Sequence, residues 1–262
     1  ANVGLSIYQP HTWQSSETIR ELLSINPEII VVAAYGSILP RDAVNSPTHS
    51  FINVHPSLLP KYRGPAPVVS ALLDGVSTTG VSLIVLEEKV DAGPVIAQRS
   101  VNVEESDTTE VLTNRLFVEG AKLLTEILPK WLAGEITPQN QDDKAATTTR
   151  KLVKRDGELD WSRSQAHIWR QVRAMDPWPG AYSFWRGQQI KILEVSPTEI
   201  SGDGLHGRVV IVSNNKEFRI GVIAGDGKIL ELHKVQLAGR RPLHLTDFIQ
   251  GHPDFVYSQL PS

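Results

Sequence analysis

An alternation of short apolar runs with helical patterns runs through the first 133 residues and limits the fold more than any other feature. Four runs have strand character, at residues 29–34, 51–54, 81–86 and 94–98. Three segments have helical periodicity, at residues 13–26, 66–74 and 107–133. Strands that alternate with helices are typical of an α/β layer with a mostly parallel sheet. The unbroken apolar character of residues 29–34 further predicts a strand buried on both faces.

The second half of the chain has a different pattern. Residues 134–150 are polar and contain Gly134 and Pro138, which is the composition of a linker. A helical signal then persists to about Ala174, and five short β-like runs follow, at residues 181–185, 189–195, 207–213, 217–223 and 229–237. Short strands separated by turns predict a small barrel, for which an OB-type fold is one candidate. We therefore expect a first domain over 1–134, a linker over 135–155 and a second domain over 156–262.

Composition excludes several classes of site. The chain has no Cys, so it has no disulfide framework, Cys-ligated zinc or thiol nucleophile, and no His spacing suggests a metal. No apolar run nears 18 residues, which predicts no membrane span. Residues 1–143 hold 9 Lys+Arg against 17 Asp+Glu, whereas residues 144–262 hold 17 against 12. The basic second half indicates contact with a polyanion, although ordinary variation between two domain surfaces would give the same asymmetry.

One polar cluster of the first half has a chemical logic. Asn53 and His55 end a predicted strand and alternation places them on one face, while Asp91 lies in another strand-end turn. Asn offers an amide donor to a developing oxyanion, His exchanges a proton near neutral pH, and Asp can orient the His. The three suit attack of an amine on an acyl carbon without a covalent enzyme intermediate. The alternative is a strand-end His that only stabilises a turn.

The residues around this cluster resemble a known family. Residues 53–64 read Asn-Val-His-Pro-Ser-Leu-Leu-Pro-Lys-Tyr-Arg-Gly, and Asp91 follows His55 by 36 positions within Val-Asp-Ala-Gly-Pro. Both features are similar to the signature of folate-dependent formyltransferases. The resemblance implies a Rossmann-like catalytic domain and 10-formyltetrahydrofolate as co-substrate, and the His spacing leads us to expect no metal. It also implies that Asn53, His55 and Asp91 are catalytic.

The same resemblance implies two folate-contacting stretches. The first is the loop that follows His55, with Ser57, Leu58, Leu59 and Pro60. The second follows the strand at residues 29–34 and resembles the pterin-binding stretch, with Ser37 and Leu39. Apolar residues there would also fit a plain core, and the first loop would also fit a support for His55.

Motifs in the second half are similar to the branch of this family that formylates methionyl-tRNA. They lie at residues 156–161, 172–180 and 225–251. This similarity implies initiator methionyl-tRNA as the partner and an OB-like domain that holds it. We further expect a monomer without membrane contact, in the bacterial cytoplasm or the mitochondrial matrix. The candidate phosphate contacts are Lys151, Lys154, Arg155, Arg240 and Arg241. Two alternatives remain open: a family member that acts on a small molecule, and an inactive RNA-binding remnant.

The start of the chain departs from the family pattern. Members usually have a strand, a Gly-rich turn, a helix and a basic loop before the equivalent of Ala1, and roughly 50–60 residues of such a βα unit are expected upstream. We therefore expect the first βα unit of the Rossmann-like domain to be missing here, with an exposed sheet edge as the consequence.

Overall fold

The computed structural model describes residues 4–12, 15–36, 50–214 and 217–261. The chain divides into two compact units that interleave along the sequence. The first unit contains the residues up to 65, together with 80–101 and 116–148. The second contains 66–79, 102–115 and the residues from 149 onward.

The described residues of the first unit form a four-stranded mixed sheet. Its strands are β1 (Ile29–Ala33), β2 (Ser50–His55), β3 (Thr78–Val85) and β4 (Val95–Asn102), in the spatial order β1-β2-β3-β4. β1 is parallel to β2, whereas β2 is antiparallel to β3. Hydrogen bonds from Val85 N to Pro94 O and from Val103 N to Ser77 O, each 2.9 Å long, flank the β3–β4 pair and make it antiparallel.

The predicted mostly parallel sheet is therefore wrong for these strands. Residues 86–94 connect β3 to β4, and this segment is too short for the crossover of about a dozen residues that a parallel pair requires. The predicted burial of β1 on both faces is also wrong, because Val31 is 44% exposed. β1 lies at one end of the described strand order, and an apolar run alone cannot distinguish this position from a central one.

Of the helices described in the first half of the chain, the longest packs on the sheet of the first unit. Helix α1 (Ser16–Ser24) begins after Ser15, whose Oγ accepts a hydrogen bond of 3.1 Å from Thr18 N, as expected of an N-cap. The next helix that the structure describes, α2 (Pro67–Asp74), belongs to the second unit. The long helix α3 (Thr109–Leu132) buries Leu123 against a core of sheet residues: Ile52, Val54, Val81, Leu83 and Ile96.

A glycine permits the close approach of α3 to the sheet. A Cβ atom at Gly120 would lie 2.7 Å from Cγ1 of Val54 and 3.0 Å from Cγ2 of Val81. Any side chain there would force the helix away from β2, the strand that carries Asn53 and His55. The absence of a side chain at Gly120 therefore allows α3 to pack closely against β2.

The second unit is built on an antiparallel sheet. Its strands are β5 (Tyr182–Trp185), β6 (Gln188–Ser201), β7 (Val209–Asn214), β8 (Glu217–Ile223), β9 (Lys228–Leu237) and β10 (Leu243–His244). The order is β5-β6-β9-β8-β7, with β10 paired to β9, and every pair is antiparallel. The five predicted strands are confirmed, and β10 is an addition.

Two further helices and an aromatic cluster belong to the second unit. Helix α4 (Gln165–Ala174) contacts α2 and β6. Helix α5 (Leu245–Gly251) brings Phe248 against Trp185 and Phe255, with edge-on ring contacts at centroid distances of 5.9 and 5.3 Å. These buried rings pack in the geometry that aromatic quadrupoles favour, which anchors the end of the chain to the sheet.

Candidate active site

The end of β2 and the turn before β4 bring Asn53, His55 and Asp91 together. Asn53 Nδ2 donates a hydrogen bond of 3.1 Å to Asp91 Oδ1. His55 Nδ1 lies 3.5 Å from Asp91 Oδ2. The His55 side chain is 5% exposed and that of Asp91 is 11% exposed. One carboxylate therefore contacts both residues that alternation along β2 places on a single face.

The environment of His55 favours a neutral imidazole. Burial lowers the pKa of His55 below its ordinary value of 6.5, against the opposing effects of the Asp91 carboxylate and the Tyr62 carbonyl. His55 Nε2 lies 2.9 Å from Tyr62 O. Since both ring nitrogens face acceptors and a neutral imidazole carries one N–H, only one of the two acceptors receives a hydrogen bond at a time.

The loop that follows β2 supplies a backbone donor and an unusual backbone conformation. Gly64 N donates a hydrogen bond of 2.7 Å to Asp91 Oδ2. Tyr62 and Asp91 both have positive φ, at 61° and 51°. Side chains rarely adopt this left-handed region, so the surrounding contacts must hold both residues there. The residue type gave no sign of this conformation at Tyr62, whereas Asp is among the residues that adopt it more often.

Polar side chains of the sheet form hydrogen bonds with the main chain of the predicted folate loop. Ser82 Oγ donates to Ser57 O at 2.6 Å and accepts from Leu59 N at 3.0 Å. Gln98 Nε2 donates to Leu59 O at 2.8 Å. Ser57 Oγ donates within the loop, to Lys61 O at 2.7 Å. These contacts fix the main chain of the loop, and neither Ser82 nor Gln98 was among the predicted site residues.

Side chains of the predicted folate loop differ in burial. Ser57 and Leu59 are buried, whereas Leu58 and Pro60 are half-buried. The buried pair supports the loop in this structure, and their contact with folate stays a prediction. The other predicted folate residues, Ser37 and Leu39, lie outside the residues that the structure describes.

Residues 139–148 lie against the same loops. The Gln141 carboxamide donates to the carbonyls of Asp91 and Gly93 and accepts from Arg63 Nε. Tyr62 N donates to Thr147 Oγ1 at 2.8 Å. The polar composition of this segment predicted a linker and gave no signal that its side chains contact the site.

The five predicted tRNA contacts lie in the second unit and are all exposed: Lys151, Lys154, Arg155, Arg240 and Arg241. Within the described part of the chain, none of them forms an ion pair. Arg150 differs, because its guanidinium donates to both carboxylate oxygens of Asp156 at 2.5 and 2.8 Å. This bidentate contact lowers the pKa of Asp156.

The residues that the structure describes contain no group of three or more His, Asp or Glu side chains arranged as metal ligands would be. Among the helices described, none combines the length and hydrophobicity that crossing a bilayer requires.

Comparison with known proteins gives matches along nearly the whole chain. A family model described as formyl transferase matches residues 2–128, and one described as formyl transferase, C-terminal domain, matches residues 151–253. A methionyl-tRNA formyltransferase from Chloroflexus aurantiacus is 41% identical over 253 residues, which are 96% of this chain and 81% of that protein. Its counterpart in Roseiflexus castenholzii is 42% identical over 250 residues, which are 95% of this chain and 78% of that protein.

A solved structure with a similar fold is HypX from Aquifex aeolicus in complex with tetrahydrofolic acid. The TM-score is 0.64, and the match covers 88% of this chain and 40% of that chain. The sequence identity is 21%, so this similarity concerns the fold alone.

Proposed function

The chain belongs to the methionyl-tRNA formyltransferase family, and from that membership we propose that it transfers a formyl group from 10-formyltetrahydrofolate to the amino group of initiator methionyl-tRNA, for translation initiation. The observation that carries this proposal is the Asp91 carboxylate, which contacts Asn53 at 3.1 Å and His55 at 3.5 Å where β2 ends. Amide, imidazole and carboxylate groups are suited to amine attack on a formyl carbon, because they can stabilise the oxyanion and accept the amine proton.

Each residue of this cluster has a distinct role. The amine nitrogen attacks the formyl carbon, and negative charge develops on the formyl oxygen. Asn53 has two amide hydrogens, of which one is used on Asp91, so the second is available to that oxygen. His55 donates to the same oxygen. Asp91 orients His55 and takes the amine proton, directly or through water. The bond between the formyl carbon and folate N10 breaks as that proton passes from Asp91 to N10.

The lowered pKa of His55 fits this role. A neutral imidazole near pH 7 can donate one N–H to the formyl oxygen while its other nitrogen stays unprotonated. In the structure Nε2 faces the Tyr62 carbonyl, so the formyl oxygen competes with that carbonyl for the ring N–H. The donated N–H stabilises the negative charge that develops on the formyl oxygen.

The folate and tRNA contacts extend this proposal. Folate is bound along residues 57–60, with Ser37 and Leu39 contributing to the pterin site. Phosphates of the tRNA are bound by the exposed basic residues Lys151, Lys154, Arg155, Arg240 and Arg241, since unpaired surface cations release counterions when they meet phosphate. No metal has a part in this reaction.

The organisation of the protein follows from the same family. We propose a Rossmann-like catalytic domain over 1–134, a linker over 135–155, and an OB-like barrel over 156–262 formed by closure of the antiparallel sheet. The protein acts as a monomer without membrane contact, in the bacterial cytoplasm or the mitochondrial matrix.

The test is a comparison of formyl acceptors. The chain is supplied with 10-formyltetrahydrofolate carrying a labelled formyl group and with methionyl-tRNA, a nucleotide-linked amino sugar, or water alone. We expect label in formyl-methionyl-tRNA at a rate that exceeds the rates of sugar formylation and hydrolysis. Faster sugar formylation or hydrolysis would favour a small-molecule enzyme of the same family. Binding of tRNA without any transfer would indicate an RNA-binding remnant.

A further inference from the structure

The side chain of Gln141 bridges two loops of the candidate active site. Its Nε2 donates to Asp91 O at 2.8 Å and to Gly93 O at 2.7 Å, and its Oε1 accepts from Arg63 Nε at 3.0 Å. Chemistry fixes the orientation of this carboxamide, because only its NH₂ can donate to two carbonyls and only its oxygen can accept from a guanidinium. One side chain therefore ties the loop after β2 to the turn before β4.

The turn that Gln141 holds needs such support. Asp91 has a φ of 51°, a left-handed conformation that is uncommon for residues with a Cβ, although Asp adopts it more often than most. The direction of the Asp91 main chain decides where its carboxylate points, and that carboxylate contacts Asn53, His55 and Gly64 N. Hydrogen bonds to the carbonyls of residues 91 and 93 oppose relaxation of the turn toward an ordinary conformation.

Arg63 lies in the loop after β2 and donates to Gln141 Oε1. Its own side chain is fixed in place. It is 4% exposed, and its Nη1 donates to Asp143 Oδ1 at 2.8 Å. Arg63 and Lys89 together lower the pKa of Asp143. Arg63 N donates to Thr147 O at 2.9 Å, next to Tyr62, whose carbonyl faces His55. Gln141 is thus held on one side by an anchored cation and holds the Asp91 turn on the other.

We propose that Gln141 is a positioning residue for formyl transfer: it fixes the main chain of Asp91 so that the carboxylate keeps its contacts with Asn53 and His55. This proposal rests on the function proposed above. The side chain of Gln141 donates to the main-chain carbonyls of residues 91 and 93, and not to the side chains of the catalytic cluster. It therefore acts through the backbone. A displacement of a catalytic group by about 1 Å is enough to lower a rate by about 10²-fold.

Two substitutions and a matched control test this role in the full chain. Gln141→Glu keeps the acceptor for Arg63 and removes both N–H donors to the turn. Gln141→Met keeps the length of the side chain and adds no charge. Gln139→Glu introduces the same charge two residues away, on an exposed side chain whose backbone alone pairs with Val95. Circular dichroism checks that all three variants fold.

We expect kcat to fall by roughly 10- to 100-fold in both Gln141 variants, with KM for methionyl-tRNA and for 10-formyltetrahydrofolate within about twofold of wild type. NMR titration of His55 gives a second measurement. Because the Asp91 carboxylate raises the pKa of His55, its displacement in Gln141→Met should lower that pKa further. Gln139→Glu should match the wild type in both measurements.

The proposal is overturned if folded Gln141→Met keeps kcat within twofold of wild type, or if its His55 pKa equals that of the wild type. A fall in kcat that only follows the loss of folded protein would also overturn it, since that is the result of a purely structural role. If the wild-type chain does not formylate methionyl-tRNA, the proposed function fails on its own, and the His55 titration in Gln141→Met still decides whether Gln141 positions Asp91.

Discussion

The Asp91 cluster and the exposed basic residues of the second unit differ in their burial and in whether their charged groups have fixed partners. In the Asp91 cluster the carboxylate is largely buried and contacts an amide, an imidazole and a backbone N–H. The basic residues at positions 151, 154, 155, 240 and 241 are exposed, and none has an ion-pair partner within the described part of the chain. A buried group with fixed partners suits a chemical step, whereas exposed cations suit phosphate binding.

This difference predicts a separation of kinetic effects. Changes in the Asp91 cluster should lower kcat with little effect on tRNA affinity. Changes among the exposed basic residues should weaken tRNA binding in a salt-dependent way and leave kcat at saturating tRNA unchanged. A cluster variant that weakens tRNA binding, or a basic-residue variant that lowers kcat at saturating tRNA, would show that the two regions do not have separate roles.

The largest effect is expected from His55→Ala. Loss of the imidazole removes a donor to the formyl oxygen, and kcat should fall by about 10²- to 10⁴-fold. The dissociation constant for methionyl-tRNA, measured by filter binding, should stay within about threefold of wild type. Turnover close to that of the wild type by a folded His55→Ala protein would remove the imidazole from the mechanism.

A smaller effect is expected from the combined change of Lys154→Gln and Arg155→Gln. If each cation contacts a phosphate, the slope of log K against log salt should become shallower by about 1 per lost contact. Titration of tRNA at several salt concentrations measures this slope. The matched control is Lys228→Gln, because Lys228 Nζ already pairs with Glu199 at 3.1 Å. Equal slopes for the double variant and the wild type would contradict phosphate contact by these two residues.

The smallest effect is expected on the pH dependence of the free energy of unfolding. Burial lowers the pKa of His55 in the folded state, so the unfolded chain binds this proton more readily below the ordinary value of 6.5. The free energy of unfolding should therefore decrease as pH falls from 6.5 toward the folded-state pKa. Denaturant unfolding between pH 7.5 and 5 should show a weaker decrease in His55→Asn than in the wild type. Identical decreases would mean that His55 titrates alike in both states.

The polar cluster could be predicted because its signals are local. Asn53 and His55 share a face by alternation along β2, and Asp91 lies in a strand-end turn. The backbone contacts could not be predicted in the same way. The Gly64 N–H and the Tyr62 carbonyl reach their partners through a left-handed conformation at Tyr62. The presence of a tyrosine does not predict this conformation.

Longer-range features were missed for a different reason. Gln141 lies 50 positions after Asp91 in a polar segment, and no periodicity connects the two. Likewise the helix-forming residues 67–74 between β2 and β3 suggested a parallel crossover, yet β3 pairs antiparallel to β2. Strand direction depends on packing of the whole unit, and the apolar pattern within each strand does not encode it.

A double-mutant cycle on the transfer step tests most directly whether the cluster acts as one unit. The single-turnover rate of formyl transfer to saturating methionyl-tRNA is measured for Asn53→Ala, His55→Ala and the double variant, with Lys154→Gln in place of Asn53→Ala as the control pair. His55→Ala should cost about 10²- to 10⁴-fold and Asn53→Ala about 10²- to 10³-fold. The double variant should lie within about tenfold of the slower single variant. Fully multiplicative losses for Asn53 and His55, like those expected for the control pair, would contradict a shared role at the formyl oxygen.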